Sequence, residues 1–416
     1  MERGKISATR SIPKLVPAWT CLHALCPGPP CAALPSESIL LSEADGRILA
    51  ENINSQIHLP PFDNSAVDGY AVRANDLKSA TQDKPIPLRL VGKIPAGETH
   101  STEIQTGQCI RIFTGSPLPQ GADAVVMQED TQHDSTHVHV HISCSVKPWE
   151  NIRFRGEDVK IGSTLAEPGT RLSPAHLSLF GAIGQKKVCV GRRPVVALLA
   201  TGSELREAGQ TISGGEIFES NRIGLAALAK RNGAVAKIFP LVPDDLALTK
   251  AALQKAFAEC DLVVTTGGVS VGELDFVKAA FEALGGELEF WKISMKPGKP
   301  FVFGKLGEKF LFGLPGNPVS AHVTFILLVA PALLRIQGAN HVSPRLCSAV
   351  LAETLINSGS RRHFVRVTIG QNGKVCSAGI QASHILSSLA DATGLLEIPP
   401  ETTLALGTMV SILPLE

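Results

Sequence analysis

The clearest pattern of apolar and polar positions lies in the second half of the chain, between residues 191 and 330. Three apolar runs there, RPVVALLATG, AVAKIFPLV and DLVVTTGG, predict buried strands. The segments NRIGLAALAKRNG, DDLALTKAALQKAFAEC and ELDFVKAAFEALGG space their apolar residues as amphipathic helices do. Because strands that alternate with helices form βαβ units, we predict an α/β domain with a mostly parallel sheet covered on both faces.

The chain on either side of this domain has different patterns. Apolar residues recur near helical spacing in SESILLSEADGRILAENI, and we predict helix within residues 36–58. Residues 60–152 are rich in proline, glycine and short alternating runs such as CIRIFTG and DAVVMQE, which predict a small β-rich domain. The short runs RRHFVRVTIG and TMVSILPLE predict a C-terminal β-domain of barrel-like form at residues 331–416.

Composition narrows the class of protein. The 416 residues carry a formal net charge of +1, which argues against a nucleic-acid-binding protein. Nine cysteines without a C-x-x-C pair argue against a disulfide framework and favour a reducing compartment, so we expect a cytoplasmic protein. The longest apolar run, at 323–334, is interrupted by Pro331 and is shorter than the about 20 residues that span a bilayer. We expect no membrane or nucleic-acid partner, and a poorly ordered extension at residues 1–35.

Glycines and polar residues follow two of the predicted strands, at the edge where open parallel sheets bind ligands. Gly202 permits a tight turn, and Glu204 beside it either faces a ligand or cation or caps a helix. Gly267 and Gly268 let a ligand approach the backbone, whose free N–H groups bind anions, and Ser270 adds a hydroxyl group.

Acidic and basic residues add candidate chemistry to the same edge. Asp244 and Asp275 are either helix-end charges or ligands of a hard cation such as Mg²⁺, and their position at two strand ends favours the metal. The lysines of WKISMKPGKP lie in a rigid Pro/Gly turn, which favours anion binding over a merely solvated loop. Residues 315–318 lead into a helix whose free N–H groups attract an anion.

The first half of the chain has its own polar segments. PPFDNSAVDGYAV, which includes Asp68, carries more hydrogen-bonding groups than a simple loop needs, although a cluster of Asx turns is the structural alternative. FTGSPLPQGADAVVMQE and ENIRFRGEDV are similarly specific. In the latter, Arg153 and Arg155 are candidates for positioning an anion, braced by Glu157 and Asp158.

Together these segments resemble the MoeA family of molybdopterin molybdenumtransferases. The resemblance runs from about Leu41 to the C-terminus, and the related domain of gephyrin is similar. It is carried, in the expected order, by the motifs PPFDNSAVDGYAV, FTGSPLPQGADAVVMQE, ENIRFRGEDV, TTGGVSVGELDFV, MKPGKPFVFG and LPGNPVSA.

The resemblance implies an enzyme that uses Mg²⁺ and inserts the co-substrate molybdate into adenylyl-molybdopterin, giving molybdenum cofactor and AMP. It implies a four-domain chain with a discontinuous linker domain, here residues 36–59 and 153–190, and an α/β domain that resembles the molybdopterin adenylyltransferase fold. It also implies a homodimer, in which the cleft lies between the α/β domain and β-domains of the partner subunit. Other cofactor-biosynthesis proteins and recipient molybdoenzymes are further implied partners.

The resemblance assigns roles to residues at matching positions of this sequence. The implied catalytic residues are Asp68, Glu204, Asp275, Lys292 and Lys296. The implied metal ligands are Asp244 and Asp275. The implied substrate-binding residues are Thr114, Asp158, Gly267, Gly268, Ser270, Lys299, Pro315, Gly316, Asn317, Pro318, Arg366 and Ser383. The chain departs from the family at Ser203, where many members carry an acidic residue.

Two alternatives share part of this pattern. A molybdopterin adenylyltransferase-like nucleotidyltransferase would have the α/β fold, but the β-domains at both ends argue against it. A non-catalytic, gephyrin-like scaffold would need a fused partner domain or a long linker, and the sequence contains neither. The intact Lys, Asp and Gly motifs argue against an inactive homologue.

Overall fold

In the computed structural model, the part of the chain that is described begins at residue 34. It comprises residues 34–98, 103–134, 138–269, 276–371 and 373–415. The extension expected at residues 1–35 therefore lies almost wholly outside the described residues.

The described residues between 34 and 191 fold mainly as strands. The elements are β1 (Ser36–Leu40), β2 (Ile53–Asn54), β3 (Asn64–Ser65), β4 (Gly69–Val72), β5 (Ile86–Ile94), β6 (Gln108–Ile112), β7 (Ala124–Met127), β8 (Thr131–His133), β9 (His139–Ile142), β10 (Ile152–Arg153), β11 (Thr164–Ala166), α1 (Pro174–Ala182) and β12 (Lys187–Gly191). Short 3₁₀ turns occupy Leu41–Glu43, Ala74–Leu77 and Gln128–Asp130.

The helix predicted within residues 36–58 is wrong. Strand β1 instead pairs antiparallel with β12, and β2 pairs with β11. Gly46 has a φ of +70°, a left-handed conformation that interrupts a right-handed helix. The apolar residues that suggested a helix, among them Ala44 and Leu49, are buried with Phe180 and Val190 in one small core. Pairing and burial against the distant segment thus override the local helical spacing.

The predicted β-rich domain is a six-stranded sheet with the order β7-β4-β6-β5-β9-β8. Its neighbouring strands are antiparallel except for β5 and β6, which run parallel. One face buries Tyr70, Leu88 and Val140, and the other buries Ile94 and Ile110. Both faces are therefore covered by apolar packing.

The predicted α/β domain is confirmed. Its elements are β13 (Val195–Ala200), β14 (Leu205–Arg206), β15 (Ile217–Phe218), α2 (Asn221–Arg231), β16 (Val235–Ile238), α3 (Leu246–Glu259), β17 (Leu262–Thr266), α4 (Phe276–Glu282), β18 (Glu287–Trp291), β19 (Met295–Lys296), β20 (Val302–Leu306), β21 (Lys309–Leu314) and α5 (Pro318–Ile336).

The main sheet of this domain has the order β16-β13-β17-β21-β20-β18. Its first four strands are parallel, and β20 and β18 add two antiparallel strands at one side. Helices α2 and α5 bury one face of the sheet, whereas α3 and α4 bury the other. This double coverage explains the continuous apolar character of strands such as β13 and β17.

Helix α5 continues past the domain boundary expected after residue 330. Pro331 lacks an N–H group and would disturb an α-helix, but a π-helical segment at Phe325–Val329 precedes it, closed by a bond from Ala330 N to the Phe325 carbonyl. Leu333 lies in the core beneath the sheet, so this helix belongs to the α/β domain and the C-terminal domain begins after it. Within the described residues, α5 is the one helix long and apolar enough to cross a membrane, and 78% of its most apolar stretch is buried inside the fold.

The C-terminal domain is a closed barrel, as predicted. Its elements are β22 (Cys347–Leu351), β23 (Leu355–Asn357), β24 (Arg362–Ile369), β25 (Lys374–Ser377), α6 (Ser387–Ala390), β26 (Gly394–Ile398), β27 (Thr402–Leu404) and β28 (Met409–Pro414). The order β24-β25-β22-β28-β26 closes because β26 pairs again with β24. Strand β19 joins this barrel by parallel pairing with β24.

A tight contact joins β12 to the end of α5. A Cβ atom added to Gly191 would lie 2.0 Å from the carbonyl oxygen of Gln337. The Gly191 carbonyl accepts a 2.9 Å hydrogen bond from buried Arg47, and the Gln337 amide donates to the Leu333 and Asn232 carbonyls. Only glycine therefore fits at this junction between the linker region and the α/β domain.

We expect Gly191→Ala to destabilise the protein by roughly 1–3 kcal/mol, because the added methyl group meets backbone that cannot rotate away. Gly214→Ala is the matched control, since a Cβ atom there has nothing within 4 Å. Urea unfolding of both variants measures the difference. Equal free energies of unfolding would contradict the close contact at Gly191.

Candidate active site

Three loops meet at the carboxyl edge of the parallel sheet, where the sequence predicted a site. They follow β13, β17 and β21. A Cβ atom at Gly267 would lie 2.6 Å from the Thr201 carbonyl oxygen, and one at Gly268 would lie 2.7 Å from Thr201 Oγ1. A Cβ atom at Gly316 would lie 3.6 Å from Gly267 Cα. Gly267 and Gly268 also have φ values of +81° and +63°, so both need glycine for conformation as well as for space.

Polar atoms without partners line this edge. Thr201 Oγ1, Thr265 Oγ1 and Asn221 Oδ1 are buried and have no hydrogen-bond partner among the described residues. Asn221 Nδ2 donates a 2.8 Å bond to the Gly316 carbonyl, which fixes the orientation of its amide. Buried polar groups are nearly always paired in folded proteins, so such a group marks a place for water or a ligand. Asn221 was not singled out from the sequence, where it reads as an ordinary residue at a helix start.

The acidic residues at this edge differ in their hydrogen bonds and in their exposure to solvent. Ser203 N donates to Asp244 Oδ2 at 2.9 Å, and Asp244 N donates to Ser203 Oγ at 3.0 Å, which links the loops after β13 and β16. Asp245 caps α3 by accepting from Leu248 N. Glu204 is exposed and precedes strand β14, so the alternative that it caps a helix is wrong. Its carboxylate folds over Gly202, where an added Cβ atom would lie 2.5 Å from Glu204 Oε2.

The carboxylates are of the kind that hold a hard cation. Mg²⁺ commonly takes one or two protein carboxylates and completes its octahedron with water and substrate phosphates. Asp244 has one carboxylate oxygen outside its bond to Ser203, and Glu204 is solvent-accessible. Within the described ranges no three His, Cys, Asp or Glu residues gather as a closed metal site. Asp275 and Ser270, which the sequence also nominated, lie outside the described residues.

The three candidate lysines project from the loop around β19. Lys292 has a φ of +72°, and its N–H group donates to the Phe301 carbonyl at 2.9 Å. Ile293 N donates to the Lys299 carbonyl at 3.1 Å, so the loop is closed on itself. The side chains of Lys292, Lys296 and Lys299 are exposed. The loop therefore presents three cations from a fixed backbone.

Strand pairing places Lys296 directly beside His363 of the barrel. His363 is 7% exposed, and its Nε2 has no partner among the described residues. Burial, and then the charges of Lys296, Arg366 and Arg361, lower the pKa of His363 to about 4. His363 is thus neutral at physiological pH in a strongly cationic neighbourhood, a feature that the sequence pattern did not reveal.

Arg366 is fully buried and bonded only to neutral groups. Its Nε donates to Ser388 Oγ at 2.9 Å, and its Nη2 donates to the carbonyls of Ile380 and Ala382. Nη1 is buried without a partner among the described residues. Burial lowers the pKa of Arg366. A buried arginine without a carboxylate partner is costly, and an anionic ligand would offset that cost.

The segment that bonds Arg366 also contacts the start of α5. Asn317 Nδ2 donates to Ser383 Oγ at 3.1 Å, and Val319 N donates to the Ser383 carbonyl at 3.1 Å. The fold therefore places Ser383 against Asn317 and Val319, on either side of Pro318 in the sequence. One of the N–H groups expected to face an anion at this helix start is instead used by the protein itself.

The candidates in the first half of the chain form a separate group. Thr114 donates to Asp68 Oδ1 through its N–H group at 2.8 Å and through its hydroxyl at 2.9 Å. These bonds, the backbone one first, lower the pKa of exposed Asp68. Asp158 is exposed, and its N–H group donates to the Leu59 carbonyl. Asp68 and Thr114 are thus paired, and their hydrogen bonds to each other stay within the β-rich domain.

The expected bracing of Arg153 and Arg155 takes another form. Glu157 accepts a hydrogen bond from Phe154 N, which closes a turn, and Arg155 N donates to Asp63 Oδ1 at 2.7 Å. No ion pair within 4.0 Å links either arginine to Asp158 in the described part of the chain. The carboxylates stabilise the backbone of this loop and leave both arginine side chains exposed.

Known proteins share the domain arrangement of this chain over most of its length. Residues 15–184 match the MoeA N-terminal region, domains I and II, residues 197–335 match a probable molybdopterin binding domain, and residues 348–415 match the MoeA C-terminal region, domain IV. A molybdopterin molybdenumtransferase of Haemophilus influenzae is 40% identical over 91% of this chain and 94% of its own length. The chain belongs to the MoeA family.

Further relatives agree with the MoeA assignment. Molybdopterin molybdenumtransferase 2 of Mycobacterium tuberculosis is 38% identical over 90% of this chain and 94% of its own length. The crystal structure of the molybdopterin biosynthesis MoeA protein from Pyrococcus horikoshii OT3 superposes with a TM-score of 0.81 at 35% identity. That superposition covers 96% of this chain and 99% of the archaeal chain. The MoeA fold therefore extends over all the domains described above.

We expect the stability of this MoeA chain to fall between pH 6.5 and about 4, in part through His363. The pKa of His363 is lower in the folded protein than in the unfolded chain, so the unfolded chain binds the extra proton in this window and is favoured as pH falls. The contribution is up to roughly 3 kcal/mol at the acidic end.

The His363→Gln variant removes this titration. Its free energy of unfolding, measured in urea from pH 4 to 8, should therefore fall less steeply with acid than that of the parent chain. The two curves should differ by a constant amount above pH 7. Parallel curves throughout the range would show that His363 does not titrate as described.

Proposed function

We propose that this chain is a molybdopterin molybdenumtransferase, which inserts molybdate into adenylyl-molybdopterin and releases AMP. The names of the curated relatives and the three family matches support the activity. The observation that carries the proposal is the meeting of the glycine-lined sheet edge with the cationic barrel segment at the start of α5. Gly316 approaches Gly267 on one side of that helix start, and Ser383 bonds Asn317 on the other.

The cations of this region suit the charge of the substrates. Molybdate is a dianion, and it must approach adenylyl-molybdopterin, which is itself anionic. Lys296 and Arg366 are placed to offset that repulsion, one from the β19 loop and one from the barrel. Lys292 and Lys299 extend the positive surface along the same loop. His363 stays neutral beside Lys296, which limits the repulsion among cations before the substrates bind.

The backbone at the sheet edge orients the substrate in this proposal. Gly267 and Gly268 hold left-handed conformations, and glycine-rich turns of this kind let a phosphate or pyrophosphate group approach the backbone closely, although the Gly267 N–H group itself donates to the Leu314 carbonyl. Gly316 lies opposite Gly267 at the same edge. Fixing both reactants before bond cleavage lowers the entropic part of the barrier.

Asp244 and Asp275 would hold Mg²⁺, with Glu204 nearby on the nucleotide side. When bound, Mg²⁺ would offset phosphate charge and polarise the phosphoanhydride that is cleaved when AMP leaves. The Ser203–Asp244 hydrogen bonds orient the Asp244 carboxylate in advance.

The role of Asp68, Thr114 and Asp158 rests on a homodimer in this proposal. They lie in the β-rich half of the chain, and the Asp68–Thr114 bonds stay there, so they would serve a cleft shared with a partner subunit.

We further propose a cytoplasmic location and contacts with other cofactor-biosynthesis proteins and recipient molybdoenzymes. The full set of MoeA domains supports a molybdenumtransferase over a lone adenylyltransferase or a scaffold.

The first test is AMP release from adenylyl-molybdopterin at fixed Mg²⁺, with and without molybdate. We expect release that requires molybdate and yields active cofactor in a recipient apoenzyme. Tight substrate binding without molybdate-stimulated release would overturn the proposed reaction in favour of a carrier or scaffold. Consumption of ATP with free molybdopterin would identify an adenylyltransferase.

We expect Lys296→Ala to raise the apparent KM for molybdate by about tenfold or more, because a charge-assisted contact to the oxyanion is lost. Lys255→Ala is the matched control, since Lys255 is an exposed lysine on the outer helix α3. Steady-state AMP release at varied molybdate measures both variants. An unchanged KM for Lys296→Ala would remove this residue from oxyanion binding.

We expect Asp275→Asn to lower kcat for molybdate-dependent AMP release and to raise the Mg²⁺ concentration needed for half-maximal rate. The substitution preserves size and removes the negative charge that attracts the cation. A titration of the rate with Mg²⁺ distinguishes lost metal affinity from a general loss of activity. Full activity at the same Mg²⁺ requirement would refute the metal role.

A further inference from the structure

A row of aromatic and basic side chains crosses three strands of the β-rich domain. Tyr70 on β4 is in register with Arg111 on β6, and Arg111 is in register with Lys93 on β5. Two like charges side by side in a sheet are destabilising. Neither cation forms an ion pair within 4.0 Å among the described residues. The pair therefore has an unfavourable arrangement that an anionic ligand would relieve.

The guanidinium of Arg111 is held in one orientation by neutral groups. Nη1 donates to the Gly69 carbonyl at 3.3 Å, and Nη2 donates to Gln128 Oε1. The guanidinium lies 5.0 Å from the centre of the Tyr70 ring and 5.1 Å from that of Phe113. These contacts use only some of its five N–H donors. Arg111 is thus pre-oriented with donors to spare.

The ring of Phe113 contacts the second cation as well. The Nζ atom of Lys93 lies 5.1 Å from the centre of the Phe113 ring, the same distance as the Arg111 guanidinium. Lys93 is exposed, whereas Arg111 is half-buried. A planar arginine fork and a mobile lysine charge are together a common arrangement for phosphoryl groups.

We infer that Lys93 and Arg111 form a subsite for the phosphoryl group of a phosphate monoester, beside the Asp68–Thr114 pair. A phosphate monoester carries between one and two negative charges near pH 7 and has three acceptor oxygens, which match two cations. One Asp68 oxygen already accepts both hydrogen bonds from Thr114, and the positive charge of Arg111 is a smaller cause of the lowered pKa of Asp68. The inference concerns binding alone and stands independently of the proposed molybdenum transfer.

The composition of the chain provides a local probe for this subsite. Tyr70 is the single tyrosine among 416 residues, so labelling the full-length protein with 3-fluorotyrosine gives one ¹⁹F resonance. Tyr70 is 3% exposed, and its hydroxyl lies 2.7 Å from His133 Nε2, so a ligand would act on the resonance through Arg111. AMP is the phosphate monoester, and adenosine is the matched ligand that lacks the phosphoryl group.

We expect AMP to shift the ¹⁹F resonance saturably and adenosine to leave it in place at the same concentrations. Lys93→Gln and Arg111→Gln should each raise the dissociation constant for AMP by about tenfold or more, because each removes a charge-assisted contact. Lys84→Gln, at an exposed lysine of the same domain, should leave it unchanged. Lys93→Gln retains Arg111 and its packing on Tyr70, so it tests binding without disturbing the fold.

Three results would overturn the inference: equal shifts with AMP and adenosine, a shift reproduced by sodium chloride at matched ionic strength, or unchanged AMP affinity in Lys93→Gln. Saturable AMP binding here in a chain without molybdate-dependent AMP release would leave the subsite standing. The same result would overturn the proposed function, so the two failures are distinguishable.

Discussion

The close approach of three loops at the carboxyl edge of the parallel sheet is the constraint on which the site depends. Gly267 and Gly268 lie so close to Thr201 that a Cβ atom would not fit at either position, and Gly316 lies beside Gly267 at ordinary van der Waals distance. Because no Cβ atoms fill this space, the three loops can lie close together and a ligand can approach their backbone. The parallel arrangement of β13, β17 and β21 is what brings the loops to one edge.

The C-terminal barrel completes this edge through two backbone contacts. Strand β19 leaves the α/β domain and pairs with β24 of the barrel, which sets Lys296 next to His363. The carbonyl of Ser383 accepts from Val319 N at the start of α5. Apolar packing supports both contacts, since Phe364 lies in the same core as the sheet and α5. The barrel thus contributes groups to the candidate site at this edge of the α/β domain.

The arginines of the two cationic regions, Arg366 in the barrel and Arg111 in the β-rich domain, are both held in place by neutral groups. Arg366 is oriented by carbonyl and hydroxyl oxygens, and Arg111 by a carbonyl, an amide and two aromatic rings. A carboxylate partner would satisfy each arginine and compete with an anionic ligand. Neutral partners fix the geometry and leave most of the positive charge available.

The pattern of residues along the chain was enough to predict the α/β domain, the β-rich domains on either side, and a candidate site at the edge where glycine, lysine and aspartate occur. These features depend on local periodicity and on turn residues, which each segment carries within itself. The sequence did not determine the fate of residues 36–58, where pairing of β1 with β12 overrides helical spacing. It also did not determine the course of α5, where the π-helical segment before Pro331 lets the helix continue. Three further features depend on residues that are distant in the sequence: the buried, neutral His363, the unpaired Oδ1 of Asn221, and the contact of Arg111 with the Tyr70 ring. Local sequence patterns do not contain these neighbours, because folding brings them together.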